Sequence, residues 1–139
     1  MTGVSPEIRV SAGVVTDAAG RALLVRKTGT RLFMNPGGKP EPGENAAETL
    51  VRELHEELGL TVTAASLHPL GTFRTAAANE PGHDVVADAF RLEIDPAAAA
   101  PRSEIAEARW IRPEDAAATP LAPLCVVLLP LVWGADYRP

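Results

Sequence analysis

The sequence predicts one α/β domain, and three stretches carry that expectation. Residues 46–58 place Ala47, Leu50, Val51, Leu54 and Leu58 on one arc of a helical wheel, the pattern of a helix with one face on a core. Residues 83–94 put Val86, Phe90, Leu92 and Ile94 on one face and Val85, Ala87 and Ala89 on the other, as a strand covered on both sides requires. Residues 121–133 are mostly apolar and read as helical, able to cover the other face of a sheet.

Taken in order, Met1 to Glu7 reads as a loose lead-in, and the β-branched run Ile8 to Thr16 as a strand. Asp17 to Gly20 is a turn, and Ala22 to Lys27 returns as the second strand of a hairpin. Arg31 to Met34 reads as a third short strand that delivers the chain into a Pro/Gly-rich loop, where Gly37 and Gly38 let the backbone approach a partner closely. Asn45 and Glu48 stand at the N-cap and N3 positions of the helix as a capping box, and Gly59 supplies its stop. Beyond it, Thr61 to Thr63 and Leu67 to Arg74 are strand-like, and the polar stretch from Ala76 to Gly82, with Asn79, reads as a substrate-side loop. Asp88 interrupts an apolar strand face, so it lies near a sheet edge or points at a site. Asp95 to Pro101 is a spacer, Ala106 to Arg112 a last strand bearing Trp110, and Pro113 to Ala118 opens a second helix.

Bulk properties narrow the function classes. With 139 residues the chain is expected to form a single domain over 1–139 with a proper core. A net charge of -5 argues against non-specific binding to a nucleic-acid backbone, and it means that an anionic substrate would need a metal as intermediary. Cys125 is the only cysteine, so no internal disulfide can form; it reads as core, and the cytoplasm is the expected compartment. There is no signal-peptide pattern, and 121–133 is too short to span a bilayer, so no membrane role is expected.

The outward face of the helix carries the chemistry. Glu53, Glu56 and Glu57 share an arc at i, i+3 and i+4, where like charges repel. Folding alone does not favour that arrangement, whereas a divalent cation does, because Mg²⁺ takes carboxylate oxygens and completes its shell with water and phosphate. No serine or cysteine nucleophile is apparent. His55 reads as near the solvent arc and His68 and His83 as strand-end residues; none is assigned a catalytic role.

Gly38, five residues, Glu44, seven residues, then Arg52-Glu53-Leu54-His55-Glu56-Glu57-Leu58-Gly59-Leu60 matches the Nudix box at every defined position over about 23 residues. The chain thus resembles the Nudix hydrolases, a MutT-like family. The resemblance implies an α/β/α sandwich with a mixed central β-sheet. It also implies Mg²⁺- or Mn²⁺-dependent hydrolysis of the pyrophosphate bond of a nucleoside diphosphate linked to another moiety, by water substitution at phosphorus. By that pattern Glu56 and Glu57 are metal ligands, Glu53 a further ligand or the group that orients water, and the Gly37 carbonyl another ligand. Arg52 either pairs with a carboxylate or contacts phosphate, and Glu44 bridges loop and helix.

Family members that draw one more acid from a distant loop direct attention to Glu104, with Glu107 as the other choice. For the base and phosphates, Phe33, Asn35 and Lys39 stand upstream of and beside Gly38 as substrate-binding candidates, Phe33 having core packing as its alternative. The longer motifs that mark coenzyme A and NADH members are absent, as is the downstream proline of ADP-ribose members, leaving non-standard nucleoside triphosphates and other nucleotide conjugates open. Nucleic acid enters only as a capped RNA end, and residues 124–133 serve either the core or a homodimer contact. A non-catalytic nucleotide or metabolite sensor on the same fold is the alternative, against which three mutually repelling glutamates weigh. An isopentenyl diphosphate isomerase lacks its matching cysteine here.

Overall fold

The computed structural model describes residues 6–78 and 80–134. Its strands are β1 (Glu7–Thr16), β2 (Ala22–Lys27), β3 (Gly37–Gly38), β4 (His68–Ala76), β5 (Asp84–Glu93) and β6 (Ile105–Ile111). Its α-helices are α1 (Ala46–Leu58), α2 (Pro123–Leu128) and α3 (Pro130–Trp133). The strands form one mixed sheet in the order β4-β5-β1-β2-β6, with β3 also paired to β1. β1 runs parallel to β5 along its whole length, and every other pairing is antiparallel.

Each sheet face buries a different apolar set. Val15, Leu23, Val25, Phe90, Leu92 and Ile105 pack against Leu50, Leu54 and Leu58 of α1. On the opposite face, Ala12, Val14, Ala87 and Ala89 meet Leu128 of α2, while Ala22, Leu24 and Ile111 meet Cys125 and Leu129. The result is the expected α/β/α sandwich, with β5 covered on both sides as its two-faced apolar pattern required. Residues 121–133 therefore pack largely on the core, although Val126, Val127 and Leu131 stay exposed. Among the described residues no helix is long and apolar enough to cross a membrane.

α1 starts and stops where its caps dictate. The Asn45 side chain accepts from the Glu48 N–H at 2.8 Å, and Glu48 accepts from the Asn45 N–H at 2.9 Å. Gly59 ends the helix in the left-handed region at φ 69°, and Leu60 N–H reaches back to the Leu54 carbonyl at 3.2 Å. A further bond, Ser11 Oγ to the Ala46 carbonyl at 2.8 Å, ties the first turn to β1. Leu54 is fully buried within this interface. Leu54→Ala is expected to cost about 2–5 kcal/mol through lost transfer energy and the cavity left behind, read as a lower denaturant midpoint with an unchanged slope.

Several sequence expectations need correction. Of the lead-in, residues 1–5 lie outside the described set and Glu7 already belongs to β1. Residues 31–34 form no continuous strand; they make isolated bridges, Val25 with Met34 and Phe33 with Leu121. The Phe33 N–H bonds to the Pro120 carbonyl and the Phe33 carbonyl takes the Ala122 N–H, so this segment is pinned between β2 and a loop. Thr61 to Thr63 form no strand, and a 3₁₀ turn follows at Ala64–Ser66. A similar turn, Pro96–Ala98, sits in the spacer, its first N–H groups capped by Asp95. Residues Pro113–Ala118 are 3₁₀ rather than α-helical and end at Thr119, since Pro120 can donate no N–H to extend them.

Candidate active site

The outward face of α1 is organised by one guanidinium. Arg52 Nε lies 2.7 Å from Glu44 Oε2, and its Nη2 donates to Glu44 Oε1 and to the Lys39 carbonyl, both at 3.0 Å. Nη1 reaches Glu56 at 3.2 Å. Glu44 also accepts from the Glu41 N–H at 2.8 Å and from Thr49 Oγ1 at 3.1 Å, so it joins loop to helix. The Arg52 hydrogen bonds, helped by the Glu41 amide, hold the Glu44 carboxyl down at about 2. Of the two alternatives for Arg52, the geometry is that of carboxylate pairing.

Glu53 and Glu57 are placed differently. Glu57 is only 3% exposed, and its Oε1 accepts the Gly37 N–H at 3.1 Å. Burial pushes its carboxyl up to about 8, against the pull of that amide and with the Glu53 charge adding to the rise. Glu53, with its side chain 14% exposed, is also shifted upward, by burial first and then by Glu56 and Glu104, while Arg52 opposes the shift. The missing side chain of Gly38 makes room for Glu53, and that of Gly37 lets β3 lie close against β1. A Cβ on Gly38 would stand 2.0 Å from Glu53 Oε2, and one on Gly37 would stand 2.0 Å from the Ser11 carbonyl oxygen.

Among the described residues no three ligating side chains already converge, because Glu56, half exposed, is drawn toward Arg52. The donor chemistry nevertheless fits a hard divalent cation. Glu57 has no ion-pair partner among the described residues, and the nearest cation to Glu53, Arg52 at 3.7 Å, is already held by Glu44. Buried carboxylates that are not paired by the protein are costly unless something else compensates them.

Arg52 and Glu53 border a cleft of about 670 Å³, whose lining does not include Glu56 or Glu57. Glu53, Arg52, Gly37, Gly38 and Lys39 line one side, Ile8, Val10, Val85 and Leu124 another, and Ala76, Ala77, Ala78 and Glu80 a third. The 76–82 stretch thus borders the cleft, although Asn79 lies outside the described residues. Glu104 lines it too, with its carboxylate 3.6 Å from Lys27 Nζ and its carbonyl taking the Thr28 N–H at 2.8 Å. Lys39 is largely exposed and faces Glu80 at 4.0 Å.

Asn35 lines the cleft while 7% exposed. Its Nδ2 donates to the Gly13 carbonyl at 3.2 Å, and its buried Oδ1 has no partner among the described residues. An acceptor left so costs about 1–3 kcal/mol. Phe33 is a correction: at 3% exposure it is core, lies outside the cleft lining, and carries the Arg109 guanidinium 4.5 Å above its ring. It belongs to the same buried cluster as Ala22, Ile111 and Cys125. Asp88 also lies outside the cleft lining, bound to Arg9 at 3.2 Å and Thr72 at 2.7 Å, and Glu107 pairs with Arg109. His55 and His68 are exposed, and none of the three histidines borders the cleft. Sequence reasoning passed over Lys27 and the aliphatic wall. A lysine closing an apolar strand was the one available signal for the former, and the latter depends on pairing between distant strands.

A family model described as NUDIX domain matches residues 7–130, which include all six strands, α1 and α2. The 8-oxo-dGTP diphosphatase of Haemophilus influenzae is 34% identical over 65 residues, 44% of this chain and 48% of that protein, so the chain spans about half the length of the curated relative it matches. The solution structure of the E. coli ORF135 protein superposes with a TM-score of 0.70 at 28% identity, covering 96% of this chain and 92% of that one. The crystal structure of a MutT NUDIX hydrolase from Burkholderia pseudomallei gives a TM-score of 0.74 at 20% identity, covering 88% and 95%. By the family match over residues 7–130, the shared fold and the box carried on α1, this chain belongs to the NUDIX family.

Proposed function

We propose that this chain is a metal-dependent pyrophosphohydrolase that cuts a nucleoside diphosphate linked to another moiety, by water substitution at phosphorus. One observation carries the reading: Glu57 lies buried with its carboxylate on the Gly37 N–H, and Glu53, half-buried against Gly38, lines with both glycines a cleft with room for a nucleotide. Glu53, Glu56 and Glu57 would hold Mg²⁺ or Mn²⁺, with the Gly37 carbonyl and Glu104 as further donors. When bound, the ion neutralises phosphate oxygens and lowers the pKa of the attacking water.

The chain's own residues account for the remaining work. The Gly37–Gly38 backbone admits the phosphates closely, and Lys27 and Lys39 bring positive charge to an otherwise acidic rim. Arg52 acts as a positioning residue, fixing Glu44 and the loop before α1 and restraining Glu56. An acidic chain with one buried thiol, acting on nucleotides, suits the cytoplasm.

The relative from Haemophilus puts 8-oxo-dGTP first among substrates to test. Phosphate or pyrophosphate release is to be measured over nucleoside triphosphates including 8-oxo-dGTP, ADP-ribose, dinucleoside polyphosphates and capped RNA, with Mg²⁺ and with chelator. The expected outcome is turnover of at least one substrate, lost on chelation and restored by Mg²⁺ or Mn²⁺. Tight binding without turnover of any would replace this reading with that of a nucleotide sensor.

A further inference from the structure

Resting on that reading, we propose that Ser103 and Thr28 are positioning residues that hold the backbone of Glu104 so that its carboxylate completes the cation site begun by Glu53 and Glu57. Glu104 is an exposed acid on an exposed turn, where a side chain would ordinarily sample many directions. Its backbone is nevertheless fastened from three directions. The Arg102 N–H donates to the Glu57 carbonyl at 2.8 Å, so the turn is tied to the helix residue that carries the buried acid. The Ile105 N–H returns to the Arg102 carbonyl at 3.1 Å, closing a four-residue turn with Ser103 and Glu104 at its centre. The Glu104 carbonyl takes two donors from one residue just past β2, the Thr28 N–H at 2.8 Å and Thr28 Oγ1 at 3.1 Å.

The turn is also held in an unfavourable conformation. Ser103, at φ 54°, is the only residue other than glycine with a positive φ among the described residues. Positive φ at the first central position and not at the second is the pattern of a type II′ turn, which ordinarily takes glycine there. A serine in that place persists only where its surroundings over-determine it, and residues so held gather at functional sites. The strand that follows is adjusted in the same region. Arg26 faces Glu107 whereas Lys27 faces Ile105, a register shift of the kind that re-aims side chains beside active sites. Past that shift both Lys27 and Glu104 line the cleft, 3.6 Å apart. The Glu104 charge helps to raise the carboxyls of both Glu53 and Glu57, which places it on the acids' side of the cleft.

The test is equilibrium binding of Mn²⁺ to the full chain, followed by the electron spin resonance signal of the free ion. Glu104→Gln should weaken binding about tenfold, and Ser103→Val, whose branched side chain resists a positive φ, by about three- to tenfold. Combining the two should cost no more than Glu104→Gln alone, because the turn acts only through that carboxylate. Thr28→Val keeps the N–H bond and loses the Oγ1 bond, so it should show a smaller loss that likewise vanishes in the Glu104→Gln background. Ser103→Gly, the conservative variant that adopts φ 54° freely, should bind Mn²⁺ as the wild type does. A turn that served only the fold would lower the denaturant midpoint of Ser103→Val without touching Mn²⁺ affinity, and that result would overturn the proposal. So would an undiminished affinity in Glu104→Gln, a loss in Ser103→Gly, or losses that add in the double variant. Should Ser103→Val not fold, Thr28→Val and its double variant carry the decision. Wild-type protein that binds no Mn²⁺ would remove the hydrolase reading as well, whereas binding that is indifferent to Glu104 leaves that reading in place.

Discussion

Glu57→Gln is expected to reduce turnover at least a hundredfold, on the order of the loss of a group that organises charge in a transition state, while making the metal-free protein more stable at pH 8. Both effects stem from the same burial. In the folded chain the Glu57 carboxyl is raised to about 8, whereas in the unfolded chain it stays near its usual 4.5. Between those values the folded state keeps a proton that the unfolded state has released, so this group's contribution to stability is full below about 4.5 and is lost as pH rises toward 8. The slope is about 1.4 kcal/mol per pH unit over that window. Glutamine has nearly the same shape, still accepts the Gly37 N–H, and does not titrate.

Thermal unfolding in chelator from pH 5 to pH 8 checks the stability arm. The wild-type midpoint should fall with pH more steeply than that of Glu57→Gln, and titrating groups that do not interact with Glu57 cancel in the difference. Adding Mg²⁺ should stabilise the wild type increasingly toward pH 8, because the carboxyl must ionise to serve as a ligand, and should stabilise the variant much less. Parallel midpoint curves for the two proteins would remove the burial argument, and retained turnover would remove the proposed role.

The parts of the structure that were legible in the sequence are those fixed by neighbours along the chain. α1 could be read whole, since Asn45, Glu48 and Gly59 set its ends through bonds of three to five residues' range and its apolar arc has the helical period. β2 and β5 were legible through their composition and alternation. What escaped depends on residues distant in sequence. The apolar run around Phe33 has the look of a strand, yet β1 takes Gly37 and Gly38 as its partners and leaves Phe33 beneath Arg109. Thr61 to Thr63 are β-branched, but no strand lies beside them to pair with. The box marked out the carboxylates in advance, whereas their unequal surroundings, Glu57 buried and Glu56 held by Arg52, came only with the fold. The orphaned oxygen of Asn35 exists because Gly13 lies opposite it, 22 positions away in sequence.

The two glycines of β3 should fail in different ways when substituted, and the contrast separates site from scaffold. In Gly38→Ala the new Cβ meets the end of the Glu53 side chain, at 2.0 Å from Oε2 and 2.5 Å from Cδ. A carboxylate end can swing aside, so the fold should survive with a change in stability of no more than about 1 kcal/mol, the usual range for substitutions that meet only yielding atoms. The displaced Glu53 can no longer share the site with Glu57, and turnover should drop about tenfold to a thousandfold. In Gly37→Ala the Cβ instead meets backbone, the Ser11 oxygen at 2.0 Å and the Ala12 Cα at 3.0 Å, from a residue at φ +152°. Backbone held in the β1–β5 ladder cannot yield, so β3 must leave β1, and the Gly37 N–H must leave Glu57 with it. This variant should lose both activity and stability, by about 2–4 kcal/mol, consistent with strain at a position restricted to glycine combined with lost pairing. Denaturant midpoints and turnover measured together decide the matter. A Gly38→Ala protein with full activity would mean that Glu53 works equally well from a displaced position, and a Gly37→Ala protein as stable as the wild type would mean that β3 is not what anchors the loop to β1.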